Sequence, residues 1–511
     1  MSVEFSLRDV ERFRGIVARR LGLQFEDAKL GFLGDLLRRR LNAIGSVCEI
    51  YLGNLDAGIL QNEMSALVQE LTVPETYFFR NMDQFRAFLE VALPDRLRAH
   101  ASQKRLHILS AGCASGEEAY TLAILLREGL ADSTWVVSIL GVDVNPAMLE
   151  KAAQARFSTW ALRETPVEAQ HRWFRQEGRE MALDETIRAS VRFEGRNLAE
   201  DDPELWQSGA YDVIFCRNVI MYFTEKASEA LVARMTRALA PGGYLFLGHA
   251  ETLRGLSHDF HLHHTHGTFY YQRKERTHQP AKRFSTGMAT PSTLESVPLA
   301  AIVDEADTWV DAICSATARI QALAEAPKQC LVPGRAAALV HAGPRWDLGL
   351  PLELLQKEHF AEALDIVQSL PSESACDPDV LLLQAVLLAH SGRFAAAEDV
   401  CRRLLNIDEL NSGAHYVLAL CREGVGDRPA ASGHDEAAVY LDPAFAMPRL
   451  HLGLLARRAG DCEAARRELG QALALLQRED ASRLLLFGGG FNREALLALC
   501  RAELLVCGGK P

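Results

Sequence analysis

The sequence predicts a multidomain protein in which an α/β domain with a parallel sheet lies between an N-terminal helical domain and a C-terminal helical array. Its 511 residues are too many for one hydrophobic core, so two to four domains are expected. Two local patterns support this fold class. The stretch 106–126 has the pattern of strand, glycine loop and helix, and a segment near the C-terminus repeats with a period of about 34 residues.

The N-terminal part, up to about residue 70, has the pattern of several helices, and the second helix carries a basic surface. Four apolar residues at helical spacing are expected on one face: Leu33, Leu37, Leu41 and Ile44. Four basic residues flank or oppose that face: Lys29, Arg38, Arg39 and Arg40. An ordinary solvated helix face is one explanation. A basic patch that meets an acidic protein surface is the alternative, because residues 1–45 hold nine basic and six acidic residues.

The glycine loop is the most informative stretch of the chain. An apolar strand pattern at 106–109 is followed by small residues that include Gly112 and Gly116, and then by a helix-like run. In a parallel sheet such a loop lies at the carboxyl end of the first strand, where glycines let backbone N–H groups approach a ligand. The next strand pattern ends at Asp143, a residue type that binds the hydroxyls of a ribose at this place. A tight structural turn and a solvated strand end are the alternative.

Two further strand patterns follow at 211–215 and 241–249, and this order resembles the class I AdoMet-dependent methyltransferase fold. Six ordered motifs within residues 5–272 resemble the CheR family of chemoreceptor glutamate methyltransferases more closely. They are LTVPETYFFR, AGCASGEEAY, GVDVNPAMLEKA, RNLAEDD, FCRNVIMYF and PGGYLFLGHAE. The resemblance implies an α/β class I methyltransferase domain with a small β subdomain, and S-adenosyl-L-methionine (AdoMet) as cofactor with S-adenosyl-L-homocysteine as product.

The resemblance also implies roles for individual residues. The residues that would bind the cofactor are Thr76, Arg80, Gly112, Glu118, Asp143, Asn197, Leu198, Arg217 and Asn218. Among them, Glu118 would take the AdoMet amino group and Asp143 the ribose, while Asn197 and Leu198 would bracket the adenine. Arg80, Arg217 and Tyr222 would act on the catalytic side. The basic helix with Lys29, Arg38, Arg39 and Arg40 would recognise the acidic methylation region of the receptor.

The expected chemistry needs neither a general base nor a metal. The leaving group of AdoMet is already activated, and a glutamate acceptor with a pKa of about 4.3 is ionised at neutral pH. Five histidines suggest a metal site as an alternative: His258, His261, His263, His264 and His266. In a strand, however, His261 and His263 would share one face and His264 would lie on the other. No metal is therefore predicted.

The C-terminal half is expected to be a tetratricopeptide array. Segments at 358–363, 392–397, 426–431 and 460–465 align with a constant period of about 34 residues, although Pro429 makes the third repeat imperfect. Stacked repeats form a concave groove, which predicts a protein or peptide ligand.

The domains are then 1–75 (helical), 76–273 (methyltransferase), 274–345 (linker with a helix near 309–324) and 346–507 (repeats). The interval 174–191 is short, with Gly178 as its only glycine, so docking to a receptor pentapeptide is not expected.

Composition narrows the class of partner and the compartment. A net charge of −12 argues against nucleic acid as the main partner. The eleven cysteines include no C-x-x-C pair, which favours reduced thiols. No apolar run of about eighteen residues and no export signal is visible, so no membrane insertion is expected. These features predict a cytoplasmic protein, and the resemblance implies recruitment to receptor arrays.

Two hypotheses follow. The first is an enzyme that forms glutamate methyl esters on the cytoplasmic domain of a chemoreceptor, with the repeats choosing the partner. The second is a catalytically weak AdoMet-binding adaptor that acts mainly through its repeats. A base or amine methyltransferase is disfavoured, because Arg217, Asn218 and Val219 stand where such enzymes often carry an Asn/Asp-Pro-Pro-aromatic motif.

Overall fold

The computed structural model describes residues 5–130, 132–275, 346–357 and 359–508. They form two compact units that divide between Arg276 and Thr277. The predicted linker, apart from residues 274 and 275, and its helix near 309–324 lie outside the described residues.

The N-terminal unit begins with four helices that pack around their own apolar core. They are α1 (Leu7–Leu21), α2 (Leu30–Ile44), α3 (Cys48–Asp56) and α4 (Gln61–Leu71). Leu33, Leu37 and Leu41 of α2 are fully buried, as the helical spacing predicts. Ile44, the last residue of α2, is 42% exposed and does not join this core. The helix ends there at Gly45, so no further turn covers Ile44.

A seven-stranded sheet follows, with the order β6-β2-β1-β7-β8-β10-β9. Its strands are β1 (Arg105–Ala111), β2 (Val136–Asp143), β6 (Val191–Gly195), β7 (Tyr211–Cys216), β8 (Leu239–Leu247), β9 (Phe260–Thr265) and β10 (Thr268–Arg273). Pairing is parallel from β6 to β8 and antiparallel to β10 and β9. The chain runs from β1 outwards to β6 and then returns to the other side of β1 at β7. This reversal creates a switch point beside β1, where open α/β sheets bind ligands.

Helices and a small sheet complete this unit. The helices are α5 (Met82–Ala87), α6 (Leu93–Ala99), α7 (Glu117–Gly129), α8 (Pro146–Gln154), α9 (Val167–Trp173), α10 (Glu185–Arg188) and α11 (Glu225–Ala238). The small antiparallel sheet joins β3 (Arg156–Ser158), β5 (Glu180–Leu183) and β4 (Phe174–Glu177). Gly178 lies in the tight turn between β4 and β5 with φ 66°. The small β subdomain that the resemblance implied is therefore present.

The C-terminal unit consists of helices in antiparallel pairs. The four pairs are Gly349–Gln356 with Phe360–Gln368, Pro378–His390 with Phe394–Ile407, Ser412–Gly424 with Arg428–Leu441, and Ala446–Arg458 with Cys462–Leu476. Two further helices, Ala481–Phe487 and Arg493–Val506, end the described chain. The last three pairs begin at Pro378, Ser412 and Ala446, and this even spacing confirms the predicted period. Pro429 does not break its helix, because it lies in the first turn, where its missing N–H costs nothing.

Within the described residues, no helix combines the length and apolarity needed to cross a membrane.

Candidate functional site

A cavity of about 710 Å³ opens at the carboxyl ends of β1, β2 and β7. The ten residues predicted to bind the cofactor or to act in catalysis all line it: Thr76, Arg80, Gly112, Glu118, Asp143, Asn197, Leu198, Arg217, Asn218 and Tyr222. They come from segments that are widely separated in the sequence. The sheet topology therefore assembles one site at the switch point, although the role of each residue stays a prediction.

The glycine loop approaches the cavity closely because it has no side chains in the way. Gly112 has φ 77°, and a Cβ there would lie 2.4 Å from Cγ2 of Val219. Gly116 has φ 91°, and a Cβ there would lie 2.8 Å from the ring of Phe193. Any other residue at either position would force the loop apart from its neighbours.

Asp143 ends β2 and is held rigidly by the backbone. Its Oδ2 accepts a hydrogen bond from the Ala114 N–H at 2.9 Å, and its Oδ1 accepts one from the Asn145 N–H at 2.8 Å. Burial raises the pKa of Asp143, and the N–H groups of Asn145 and Ala114 oppose that rise. Since each carboxylate oxygen has two acceptor sites, both oxygens can still accept hydroxyl groups from a ligand.

Glu118 and Arg217 form a buried ion pair at the back of the cavity. Arg217 Nη1 lies 3.2 Å from Glu118 Oε2, and Ser110 Oγ donates to Glu118 Oε1 at 2.7 Å. Arg217 Nη2 donates to the carbonyl of Arg80 at 2.6 Å and to Oδ1 of Asn81 at 2.8 Å. Burial raises the pKa of Glu118 and lowers that of Arg217, and each partner opposes the shift of the other.

Arg217 lines the cavity with a side chain that is only 3% exposed. Its guanidinium joins Glu118 to the backbone at Arg80 and so positions them relative to each other. Its catalytic role stays a prediction.

Sequence reasoning missed Glu251, a buried carboxylate that organises the loop after β7. It accepts hydrogen bonds from the backbone N–H groups of Asn218 (2.7 Å), Val219 (2.8 Å), Met221 (3.2 Å) and Gly248 (2.7 Å). The sequence did contain a signal, because Glu251 is the one acid of the motif PGGYLFLGHAE and lies shortly after the apolar strand β8. Four donors on one carboxylate hold Asn218 in a left-handed conformation with φ 59°.

The helical domain supplies one wall of the cavity, which the sequence did not reveal. The connection between α1 and α2 pairs with the loop after β7, where the Gln24 N–H donates to Tyr222 O and the Thr224 N–H to Gly22 O, each at 2.8 Å. Phe25 and Phe32 line this wall and stack with ring centroids 6.4 Å apart. Local patterns cannot reveal such a contact, because its partners lie far apart along the chain.

Asn197 takes part in the same contact. Its Nδ2 donates to Arg20 O at 2.8 Å and to Glu200 Oε1 at 3.0 Å, and its Oδ1 accepts from the Ala199 N–H at 3.0 Å. The amide is thus used to join the two domains. Contact of residue 197 with an adenine would come from its backbone or from the apolar edge of the side chain.

Cationic side chains stack on Tyr77, an aromatic residue of the cavity lining. The Arg163 guanidinium carbon lies 3.5 Å from the ring centroid of Tyr77 and 4.6 Å from that of Trp160. Arg80, which also lines the cavity, lies 5.6 Å from the same Tyr77 centroid. Trp160 is 71% exposed and Tyr222 is 42% exposed, so both aromatic rings are accessible to solvent.

The predicted basic surface on α2 is largely neutralised by neighbouring acids. Arg39 pairs with Glu70 at 2.5 Å, Arg38 with Asp35 at 2.7 Å, and Arg40 with the buried Glu63 at 2.6 Å. Glu63 is 6% exposed, so Arg40 is held inside the helical domain and is not a free recognition residue. Lys29 lies elsewhere, at the cavity lining.

The histidines near the C-terminal hairpin of the sheet make separate contacts. His263 stacks on Tyr270 and lies 3.1 Å from Gln272 Oε1, while His264 stacks on Phe269. His266 lies 3.0 Å from Glu90. No group of three or more potential metal ligands was found among the described residues.

Comparisons with known proteins identify several that are similar to this chain. Residues 74–269 match the family model described as "CheR methyltransferase, SAM binding domain", in which SAM is AdoMet. Chemotaxis protein methyltransferase 2 of Vibrio cholerae is 34% identical over 258 residues, which are 50% of this chain and 88% of that protein. Probable biofilm formation methyltransferase WspC of Pseudomonas putida is 29% identical over 460 residues, 89% of this chain and 96% of that protein. Among solved structures, MamA of Desulfovibrio magneticus RS-1 covers 26% of this chain and 76% of its own, with 17% identity and a TM-score of 0.24.

Proposed function

This chain belongs to the CheR family of AdoMet-dependent methyltransferases, and we propose that it forms methyl esters on glutamate side chains in the cytoplasmic region of a chemoreceptor. The observation that carries the proposal is the single cavity that joins Glu118, Asp143, Arg80 and Tyr222. Two acids and a glycine loop suit a small cationic cofactor with a ribose, and the other two side chains stand at the open side.

The residues present fit AdoMet. The cavity volume of about 710 Å³ lies in the range of roughly 300–1,000 Å³ that small-molecule sites occupy. A Cβ at Gly112 or Gly116 would disturb the cradle for the ligand. Glu118 places a carboxylate where an amino group can be bound, and Asp143 retains acceptor capacity for two ribose hydroxyls.

The chemistry follows from this placement. AdoMet supplies, when bound, a methyl group on a positively charged sulfur. The receptor glutamate is ionised at neutral pH, so the protein needs only to orient the carboxylate and exclude water. Arg80 has five N–H donors and uses one on the carbonyl of Glu75 at 3.0 Å, which leaves others for the carboxylate. The Tyr222 hydroxyl, which also lines the cavity, can donate a further hydrogen bond.

The mouth of the cavity favours an acidic helical substrate. Lys29 and Arg80 line the cavity with positive charge, and Tyr77 adds apolar surface. Arg163 stacks on Tyr77 and on Trp160, and so extends this surface outside the lining. These residues replace Arg40 in the proposed recognition surface, while Arg38 and Arg39 stay at its edge. An acidic receptor segment would be attracted over a Debye length of about 8 Å at physiological ionic strength.

The relative that matches almost the whole chain favours one biological output. WspC is named as a probable biofilm formation methyltransferase, and its similarity extends through the repeats. We therefore assign this chain to receptor methylation that controls biofilm formation, with the repeats selecting the pathway.

The test is transfer of tritium from labelled AdoMet to a chemoreceptor, followed by release of labelled methanol with alkali. Methyl esters release methanol, whereas methylated amines and bases do not. Label in the receptor that is lost with Tyr222→Phe but kept with Tyr440→Phe, a tyrosine of the repeats, supports the proposal. Tight AdoMet binding without transfer to any receptor would favour the adaptor hypothesis instead.

A further inference from the structure

The repeat unit carries a segment that returns across its own first helices. In tetratricopeptide arrays the stacked helices create an extended concave surface that binds partners. Here residues 479–491, which we name the return segment, follow the last helix pair and run back over earlier pairs. The groove predicted for a partner is therefore already in contact with this chain.

The contacts of the return segment involve the first helix of successive pairs. Its helix, Ala481–Phe487, packs against Gly349–Gln356 and Pro378–His390. The ring of Phe487 lies 5.8 Å from that of Tyr416, in the first helix of the third pair. It lies 5.0 Å from the ring of Phe445, which precedes the first helix of the fourth pair. One short helix thus contacts all four pairs on the same face.

The groove is shaped for these side chains. A Cβ at Gly413 would lie 2.8 Å from Cζ of Phe487, so the absence of a side chain at 413 makes room for the ring. Leu484 and Phe487 are 7% and 6% exposed, whereas Ala481 and Ser482 face solvent. The segment therefore inserts two large apolar side chains three residues apart, as ligands in helix-in-groove complexes do.

Polar contacts fix the segment at its start. Oε2 of Glu479 accepts a hydrogen bond from the Ala446 N–H at 2.7 Å, and Ala446 begins the first helix of the fourth pair. Arg483 pairs with Asp442, and its guanidinium carbon lies 4.8 Å from the centroid of the Phe445 ring.

The end of the array is covered by a different helix. The final helix, Arg493–Val506, packs on Cys462–Leu476, and its Arg493 donates to the carbonyl of Glu479 at the start of the return segment. Gly488, Gly489 and Gly490, near the end of the return segment, separate its helix from the final helix, and the last two have φ 63° and 83°. Three consecutive glycines allow the segment to leave the groove while the final helix stays in place.

We propose that the return segment is a built-in ligand of the repeat groove. The external partner is a peptide helix with the same chemistry: two large apolar side chains three residues apart, preceded by a basic residue that pairs with Asp442. A tethered segment has an effective concentration on the order of millimolar, so the partner binds only by displacing it. The resident segment thereby sets a threshold for partner binding.

The test uses full-length protein and a fluorescent peptide of residues 479–492. The wild-type protein should bind it weakly, because the groove is filled. Leu484→Ala with Phe487→Ala should empty the groove and increase peptide affinity at least about tenfold. A peptide that itself carries Leu484→Ala and Phe487→Ala should not bind to this variant. Leu505→Ala with Val506→Ala, two exposed apolar residues of the final helix, is the matched control and should leave peptide affinity unchanged.

Thermal unfolding and amide exchange of Ser412–Gly424 decide whether the variant keeps its fold. A folded variant that gains no peptide affinity overturns the proposal. If the double variant unfolds, the variant Arg483→Glu takes its place. Faster amide exchange confined to residues 481–491 would support a displaceable ligand. Faster amide exchange throughout the repeats would show that the segment is ordinary core and would overturn the proposal. Dissociation of an oligomer by the peptide would show that the segment is exchanged between copies, which also contradicts the proposal.

Discussion

The methyltransferase unit and the repeat unit each bury a cluster of opposite charges, but the two clusters differ in what surrounds them. Glu118, Asp143 and Arg217 border a cavity. In the repeats, His451 lies 2.7 Å from Asp435 and 2.9 Å from Glu423, and Glu423 also pairs with Arg458. His451 and Asp435 are completely buried among helices. The first cluster can exchange its contacts for those of a ligand, whereas the second can only hold helices together.

The difference shows that burial and perturbed ionisation do not by themselves identify a functional site. Burial raises the pKa of Glu118 and also raises that of Asp435, to about 6. Glu118 differs from Asp435 because it borders a cavity that a ligand can enter. The neighbouring Asp143 also has carboxylate oxygens that can accept further hydrogen bonds. Four predictions test this comparison.

The largest effect is expected from His451→Ala. This change leaves Asp435 buried without its cationic partner, while Glu423 keeps Arg458. Removing one partner of a buried pair typically costs about 3–5 kcal/mol. The free energy of unfolding of the repeat unit should fall by that amount in a denaturant titration, while AdoMet affinity in calorimetry stays unchanged. His359→Ala, at an exposed histidine, is the control. A loss of AdoMet affinity would mean that the two clusters are not independent.

The same histidine predicts a pH dependence. Burial alone would lower the pKa of His451, but Asp435 and Glu423 raise it to about 9. Because the pKa is higher in the folded state, the stabilisation is complete below about pH 6.5 and is lost as the pH rises through about 9. The free energy of unfolding of the repeats should therefore decrease between these values, by up to about 1.4 kcal/mol per pH unit. His451→Gln should flatten this part of the profile.

Asp143→Ala should have an intermediate effect confined to the other unit. The ribose hydroxyls lose a charged acceptor worth roughly 1.5–3 kcal/mol, so AdoMet affinity should fall by about 10- to 150-fold. Calorimetric titration measures it, and Asp379→Ala, an exposed acid of the repeats, is the matched control. Unchanged affinity would contradict the ribose assignment.

The smallest effect is expected from Arg39→Ala. Its pair with Glu70 is exposed, and such pairs contribute about 0.2–1 kcal/mol. Arg40→Ala leaves the buried Glu63 with the Tyr51 hydroxyl but without its cationic partner, and should cost more, about 1–3 kcal/mol. Denaturant titration of the two variants compares them directly. Receptor methylation should fall modestly with Arg39→Ala, and this loss should shrink as the salt concentration rises. Equal losses of stability in the two variants would contradict the distinction between the exposed Arg39 pair and the buried Arg40 pair.

Several features were predictable because they depend on local pattern. Strand, glycine loop and helix follow one another directly in the chain, and the positive φ of Gly112 and Gly116 is a property that only glycine adopts easily. The constant repeat period predicted the helix pairs because each pair buries the same face against its neighbour. The positions that line the cavity were found through the family motifs.

The contacts that the sequence did not reveal are those in which a side chain meets partners from distant parts of the chain. Arg40 and Arg217 have the residue type of a recognition or catalytic cation, but Glu63 and Glu118 occupy them. The Asn197 amide donates a hydrogen bond to the carbonyl of Arg20. Glu251 accepts hydrogen bonds from the loop after β7, and α11 and β8 lie between this loop and Glu251 in the chain. None of these pairings leaves a periodic signal.

Local sequence was enough to specify the fold class, the glycine loop, the acid after the second strand and the repeat period, since each is encoded by residues within one or two elements. Three features emerged only from contacts in the folded chain: which charges are available, that the α1–α2 connection walls the cavity, and that residues 479–491 lie in the repeat groove. Availability depends on burial and on competing partners. Both are set by segments that folding brings together from distant parts of the sequence.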